Sequence, residues 1–536
     1  MPRPGSTPPA RVSRAGRTKG IQHLTEAPSH FRVAVIGSGF AGIGMAVRLK
    51  QAGLQDFVIL ERADDIGGTW RDNSYPGAAC DVPSHLYSFS FALNPNWSRT
   101  FSPQPEIFDY IKRVAGEYGV HRHIRYGHEV TSAHWEPEHN RWRIETEGGT
   151  LTAQFLVSGA GPLADPSYPD IKGLETFEGT MFHSANWDHD HDLTGRRIAV
   201  IGTGASAIQF VPRIQPKAGR LTLFQRTAPW VMFRHDRDIT RLERWLYRDV
   251  PLAQQVARKG IYWGRESYVL GFAKNPRLLS VVERLGRANI DRSVKDPGLR
   301  AKLTPSFRAG CKRILMSNDY YPALARPNVD VVTDRIVEVR PNAVVTRDPS
   351  GRETEHEVDT IILGTGFHVT DPPVARRIFD SEGRSLAEHW GEDVRAFRGT
   401  TVAGFPNAFI LAGPNTGLGH TSQVFMIEAQ IRYTMQALKY LCRNGLDRLE
   451  VRPEAQEAYN AMVARTMEGT VWVTGGCDSW YLNENGRNTT LWPTFTWNFA
   501  LRTRWFDPHN YDLRVDRSRG RGPRTRVPAV TGGGAR

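Results

Sequence analysis

Two short glycine-rich runs carry the first recognisable chemistry in this chain, Gly37-Ser-Gly39-Phe-Ala-Gly42 and Gly202-Thr203-Gly204-Ala-Ser206-Ala207. Each follows an apolar run that reads as a buried strand, Val33 to Ile36 and Ile198 to Ile201. Such a turn lets the backbone approach a pyrophosphate closely and sets the phosphate charge at a helix N-terminus, where unbonded N–H groups point outward. Alone, a G-x-G-x-x-G is a weak signal. Here a further strand-like run, Phe57 to Leu60, ends on Glu61, 24 residues past Gly37, close to the spacing of a carboxylate that binds a ribose hydroxyl pair. The same count of 24 from Gly202 lands on Arg226. A carboxylate there would repel a 2′-phosphate, whereas a guanidinium attracts it. The first unit is therefore expected to hold FAD and the second NADPH. Electron transfer between the two is the natural use of such a pair.

Three further runs decide which oxidoreductase this is. Between the two turns, Phe177 to Asp188 fits F-x-G-x-x-x-H-x-x-x-W-D at Phe177, Gly179, His183, Trp187 and Asp188. After Glu61, the run Gly67 to Asp81 fits G-G-x-W-x4-Y-P-G-x3-D at Gly67, Gly68, Trp70, Tyr75, Pro76, Gly77 and Asp81. The third is Gly310-Cys-Lys312-Arg313, followed by Asp319-Tyr320-Tyr321 and Arg326-Pro-Asn328-Val329. Together these runs resemble the type I Baeyer–Villiger monooxygenases, class B flavoprotein monooxygenases, over roughly residues 31 to 510. Ala325 stands where that family often has Asn.

The resemblance implies an NADPH- and O2-dependent enzyme that converts a ketone to an ester or lactone through a flavin C4a-peroxide. It implies that the Gly67 loop wraps the flavin, with Gly68, Thr69, Trp70, Asp81, Tyr87 and Val130 at FAD beside Gly37, Gly39, Gly42 and Glu61. Gly202, Thr203, Gly204, Ser206, Arg226 and Thr227 are implied at NADPH, with Lys312 a second contact for the 2′-phosphate and Trp480 against the nicotinamide nucleotide. Carried over, Arg313 is the catalytic arginine and Asp81 positions it by a charge-assisted pair. A fixed cation there suits chemistry that builds negative charge beside a carbonyl. His183 and Trp187 are expected to link NADPH position to the flavin rather than to transfer protons. The nearest rival is a flavin-containing monooxygenase that oxidises nitrogen or sulfur, which shares F-x-G-x-x-x-H but not the W-D ending.

These residues need two nucleotide-binding units to position them, an α/β fold with two Rossmann-like domains. The FAD domain is expected over 31–168 and 367–513, and the NADP domain over 195–235 and 309–366. A connecting stretch fills 169–194. Helical spacing at Leu242, Trp245 and Leu246 marks residues 236–308 as a helical insertion. The strand-like run Thr360 to Leu363 ends at Gly364-Thr-Gly366 and is expected to bring the chain back to the flavin. A helix starting near Ser422 is expected to face the flavin pyrimidine, with Ser422 as its N-cap.

With 536 residues the chain has room for two or three domains. Its formal charge of +13 is concentrated at the ends: +4 over residues 1–30 and +6 over residues 514–536, both expected to be disordered basic tails. The remaining charge of about +3 argues against a nucleic-acid groove in the body. No apolar run has signal-peptide or membrane length, so a cytoplasmic protein without membrane partner, monomer or homodimer, is expected. Cys80, Cys311, Cys442 and Cys477 form no C-x-x-C pair, which argues against a redox-active disulfide on the flavin and against a cysteine zinc site. The Asp188 to Asp192 run of alternating Asp and His reads as a solvated loop, and no metal is expected.

Overall fold

The computed structural model describes residues 29–515. The bulk of both basic tails lies outside them. Two sheets organise the molecule. In the first, the strand Ser29–Ile36 lies between two parallel neighbours, Phe57–Leu60 and Gly149–Ser158. Val33 to Ile36 and all of Phe57–Leu60 are buried, as expected of parallel strands covered on both faces. One cover is the helix Phe40–Gln51, which packs against the long helix Gln423–Asn444. The late strand Ala408–Ile410 joins the same sheet beside Gly149–Ser158. The first unit is thus closed by a segment some 250 residues further along the chain, and their shared apolar core runs from Val33 through Met426 to Tyr511.

The second sheet is wholly parallel, in the order Val329–Val332, Arg220–Phe224, Arg197–Ile201, Thr360–Leu363, Thr180–His183. One element here differs from the sequence expectation. The stretch between the glycine turns does more than connect, because Thr180–His183 is an edge strand of this sheet. The strand Thr360–Leu363 belongs to this second unit, within the span 309–366 expected of it, and past Gly366 the chain returns to the first unit, where Pro373, Val374 and Arg377 stand over the first turn. A Cβ on Gly202 would lie 2.3 Å from the Gly364 carbonyl oxygen, so the Gly364 run packs against the second turn before the chain leaves this unit. The antiparallel strands Arg335–Arg340, Ala343–Arg347 and Glu353–Glu357, formed within the span expected to complete the NADP unit, make a separate small sheet.

Helices Arg241–Asp249, Pro251–Glu266, Leu279–Ser293 and Pro297–Leu303 form the insertion. It bridges both units. Arg258 donates to the carbonyl oxygens of His85 and Ser88 on the first, and Trp230 of the second is buried with Phe272 and Leu279. Among the described residues no helix is long and apolar enough to cross a membrane.

Candidate active site

At the first turn the three glycines do different things. Gly37 has φ +88° and a Cβ there would meet the Gly159 backbone at 3.0 Å, while a Cβ on Gly42 would lie 1.9 Å from the Gly37 carbonyl oxygen. Both positions are closed by the protein itself. Gly39 is open, with nothing nearer than 3.8 Å, and the helix that follows has no side-chain cap on its first N–H groups. That is the space and the donor set a pyrophosphate needs. The cavity over it is lined by Gly37, Gly39, Glu61, Gly68, Thr69, Trp70, Tyr87 and Val130, which brings the expected FAD residues together, Gly42 and Asp81 excepted. Glu61 is buried and accepts from Ser38 N (2.9 Å), Ser38 Oγ (2.6 Å), Ala63 N (3.0 Å) and Arg71 Nη1 (2.9 Å). Burial works against its charge, but these donors outweigh it and hold the carboxyl below its ordinary range.

The second turn repeats the plan. Nothing lies within 4 Å of a Cβ on Gly204, and Ser206, at the start of the helix Ala207–Ile214, makes no capping bond. Thr203 Oγ1 donates to the Thr227 carbonyl at 3.2 Å, tying the turn to the next strand's end. Arg226 follows that strand with 86% of its side chain exposed, 3.9 Å from Asp478. Lys312 lies close by. Burial lowers its pKa and the Arg226 charge lowers it further, with Asp478 acting the other way. Two cations therefore stand near each other past the strand that follows the second turn, with the Asp478 carboxylate beside them.

Between the turns, Arg313 and Asp81 form a two-pronged pair, Nε to Oδ2 at 2.6 Å and Nη2 to Oδ1 at 2.8 Å. Arg313 Nη1 also donates to the Leu418 carbonyl at 3.1 Å. The Asp81 charge raises the Arg313 pKa. The same contact overrides burial and keeps Asp81 ionised. Arg313 borders a second cavity with Tyr87, Leu418, Thr421 and Trp480, walled on its apolar side by Leu386 and Trp390. The two cavities share Tyr87, Ala412 and Gln423 in their walls, so the slot that begins at the first turn continues to Arg313.

Several site residues were not legible in the sequence. Arg265 donates to the Asp81 carbonyl at 3.0 Å and Arg234 to that of Cys80 at 3.1 Å, so Asp81 sits among three arginines drawn from different segments. Gln209 receives from Tyr75 Oη (3.0 Å) and donates to Ala79 O (3.0 Å), fastening the Gly67–Asp81 loop to the helix of the second turn. Ser422 is the N-cap residue of the helix Gln423–Asn444, but its side chain makes no capping bond. Its hydroxyl, like that of Thr421, is buried without a partner. A helix end with two unmet hydroxyls beside the shared cavity suits a polar cofactor edge better than a closed cap. His183 is wholly buried. Its Nδ1 accepts from Ala185 N at 3.1 Å, and burial pushes its pKa down to about 4. Asp188 Oδ1 accepts from the N–H groups of Asp190 and His191, holding a turn. Cys311 and Cys477, distant in sequence, are joined by a disulfide.

A family model described as pyridine nucleotide-disulphide oxidoreductase matches residues 34–249, which span both turns. Both cysteines of the disulfide lie outside that match. A Baeyer–Villiger monooxygenase of Streptomyces coelicolor is 55% identical, over 90% of this chain and 93% of its own length. Among solved structures, cyclohexanone monooxygenase from Rhodococcus sp. Phi1 bound to NADP+ aligns with TM-score 0.80 at 28% identity, covering 91% of this chain and 100% of that one. OTEMO in complex with FAD and NADP aligns with TM-score 0.80 at 26% identity, again over 91% and 100%. The open cradles at Gly39 and Gly204 fit those two dinucleotides, and the relatives make the outcome plain: this chain belongs to the Baeyer–Villiger monooxygenases, FAD-containing and NADPH-dependent.

Proposed function

We propose that the protein inserts one atom of O2 beside a ketone carbonyl, giving an ester or lactone, with Arg313 as the catalytic cation and Asp81 as the residue that positions it. The observation that carries this assignment is the two-pronged Arg313–Asp81 pair at the wall of the cavity that continues from the first turn. FAD, when bound, supplies the redox chemistry, taking a hydride from NADPH and activating O2. The chain supplies position and charge. Gly37, Gly39, Glu61 and the Gly67–Asp81 loop hold the flavin nucleotide. Gly202, Gly204, Arg226 and Lys312 hold NADPH by its phosphates. Arg313 stabilises negative charge as it develops on the ketone oxygen, in a pocket whose Leu386 and Trp390 wall excludes water. The Asp81 carboxylate keeps that cation aimed, since a guanidinium gripped on two nitrogens has little freedom to turn. The same apolar wall favours a ketone with a hydrocarbon body, and we place the reaction in the cytoplasm.

Arg313→Ala tests the assignment. Ester formation is expected to disappear, while NADPH oxidation continues slowly because the second turn and Arg226 are untouched, and hydrogen peroxide is released in place of product. Gas chromatography of products beside a peroxide assay reads both. Ordinary ester yield from the alanine variant would remove Arg313 from the catalytic machinery.

A further inference from the structure

The disulfide between Cys311 and Cys477 closes a separation of 166 residues, and it does so at the active site. Cys311 directly precedes Lys312 and Arg313, and Cys477 opens the run Cys477-Asp-Ser-Trp480-Tyr481. The neighbouring contacts join the same two segments. Arg308 N donates to the Gly475 carbonyl at 3.1 Å, and Gly475 approaches so closely that a Cβ there would lie 2.6 Å from Cys311 Cβ. Just past the bond, Trp480 lines the cavity with Arg313, and Tyr481 is buried beside the Arg313 guanidinium. Little else polar holds the residues between. Asp478 is 91% exposed, and its pairing with Arg226 at 3.9 Å is of the solvent-screened kind.

We propose that this bond is a positioning device for the reaction: it clamps the Gly475–Tyr481 segment onto the Lys312–Arg313 segment, so that Trp480 and Tyr481 wall the Arg313 side of the cavity. The proposal rests on the reading of Arg226, Lys312 and Trp480 as the NADPH side of the site. Cys311 is buried and Cys477 is partly exposed, so a dithiol reductant attacks at the Cys477 sulfur. The S–S bond then breaks and two electrons and two protons pass to the cysteines, leaving two thiols and the reductant as its own disulfide. In a reducing cytoplasm disulfides are mostly transient or redox-sensing, so the clamp is conditional on its surroundings. Released, the segment no longer walls the cavity, water reaches Arg313, and NADPH loses the Trp480 contact.

The test uses the FAD-loaded full chain purified in air. Alkylation and peptide mass spectrometry are expected to find a Cys311–Cys477 linked peptide, with Cys80 and Cys442 as free thiols. The oxidised, dithiothreitol-reduced and reoxidised protein are then compared with Cys477→Ser for NADPH KM, kcat and hydrogen peroxide released per NADPH consumed with a ketone that is turned over. Limited proteolysis between residues 475 and 487 provides a readout independent of activity. Reduction is expected to raise the peroxide fraction and the NADPH KM several-fold, with faster cleavage of that segment, and reoxidation should restore all three. Cys477→Ser should resemble reduced protein and ignore dithiothreitol. Two results would overturn the proposal: four free thiols in the native protein, or a lower melting temperature on reduction with coupling, KM and proteolysis unchanged, which marks a cross-link that only stabilises. Arg226→Ala separates the layers. If that change raises the NADPH KM and reduction does not, the reading of the NADPH side stands and the clamp alone fails.

Discussion

Arg313 and Asp81 need each other in opposite ways. Each side chain is about 30% exposed, so water screens the pair only partly, and removing either leaves the other charge poorly matched. Asp81→Asn keeps the shape and deletes the charge. The variant is expected to retain FAD, since Asp81 is not among the residues lining the cavity over the first turn. Its ester formation should fall, by less than the roughly 100–1,000-fold that follows loss of a group touching the developing charge itself, because Arg313 remains in place. A rate equal to wild type would show that Arg313 is aimed by the Leu418 carbonyl alone. Arg226 is the contrasting case. With 86% of its side chain exposed, a phosphate contact there is worth toward the low end of charged hydrogen bonds, so Arg226→Ala should raise the NADPH KM about tenfold and leave kcat nearly unchanged. NADH kinetics check the cause, because without a 2′-phosphate the substitution should matter little. Arg226 stands out in the sequence by its spacing from Gly202, and Arg313 by the resemblance of its Lys312-Arg313 run to the family. Arg234, Arg265 and Gln209 do not, since they reach Asp81 and its loop from segments with no local pattern and only the folded chain brings them there.

The two glycine turns show how an element divides its residues between self-packing and ligand. A Cβ on Gly42 would collide with the Gly37 carbonyl at 1.9 Å, a backbone atom that cannot swing away, whereas a Cβ on Gly204 meets nothing. Gly42→Ala is therefore expected to damage the turn itself, with loss of FAD on gel filtration and a clear drop in melting temperature. Gly204→Ala should fold and hold FAD normally yet bind NADPH poorly, because the methyl occupies the space where the pyrophosphate must approach. Flavin absorbance per chain and NADPH KM, measured on both variants, decide it. A Gly204→Ala enzyme with unchanged NADPH kinetics would mean that the second turn is not the NADPH cradle. These elements were legible because a short apolar run followed by glycines has few other solutions. The edge strand Thr180–His183 was not, since it lies in a connecting stretch with no glycine turn after it, and only its parallel pairing with Thr360–Leu363 places it in the second sheet. Ser422 stands at the N-cap of its helix as expected, without the side-chain bond that usually goes with the position. Residue type allows capping, but here the hydroxyl faces no helix N–H.

At the scale of the molecule, two buried histidines sit where separate parts meet, and both weaken the fold in acid, with His123, His356 and His389 shifted less far in the same direction by burial. His183 ends the edge strand of the second sheet, with its ring near Tyr168 on one passage between the units and near Phe367 on the other. His85 belongs to the first unit and faces the helical insertion through Gln254 Nε2 at 3.3 Å and the Tyr247 ring. Burial pushes both down to about 4, from an ordinary value of 6.5. The folded protein thus prefers both rings neutral, whereas the unfolded chain protonates them readily below pH 6.5. Their contribution is fully present above that value and is lost as pH falls toward 4. Between pH 7 and pH 5 each histidine should cost roughly 2 kcal/mol of stability, from the proton uptake on unfolding. Asp81 does not offset this, because its depressed pKa adds stability above the ordinary carboxylate range and so is constant across the window. The wild-type melting temperature, followed by flavin fluorescence at fixed FAD concentration, should therefore fall steeply from pH 7 to pH 5. His183→Asn and His85→Asn are expected to melt lower at pH 7, through lost packing, yet to show a shallower slope, and the double variant the shallowest. Parallel slopes in all four proteins would show that the acid response comes from other groups and that these two junctions stay neutral at no cost.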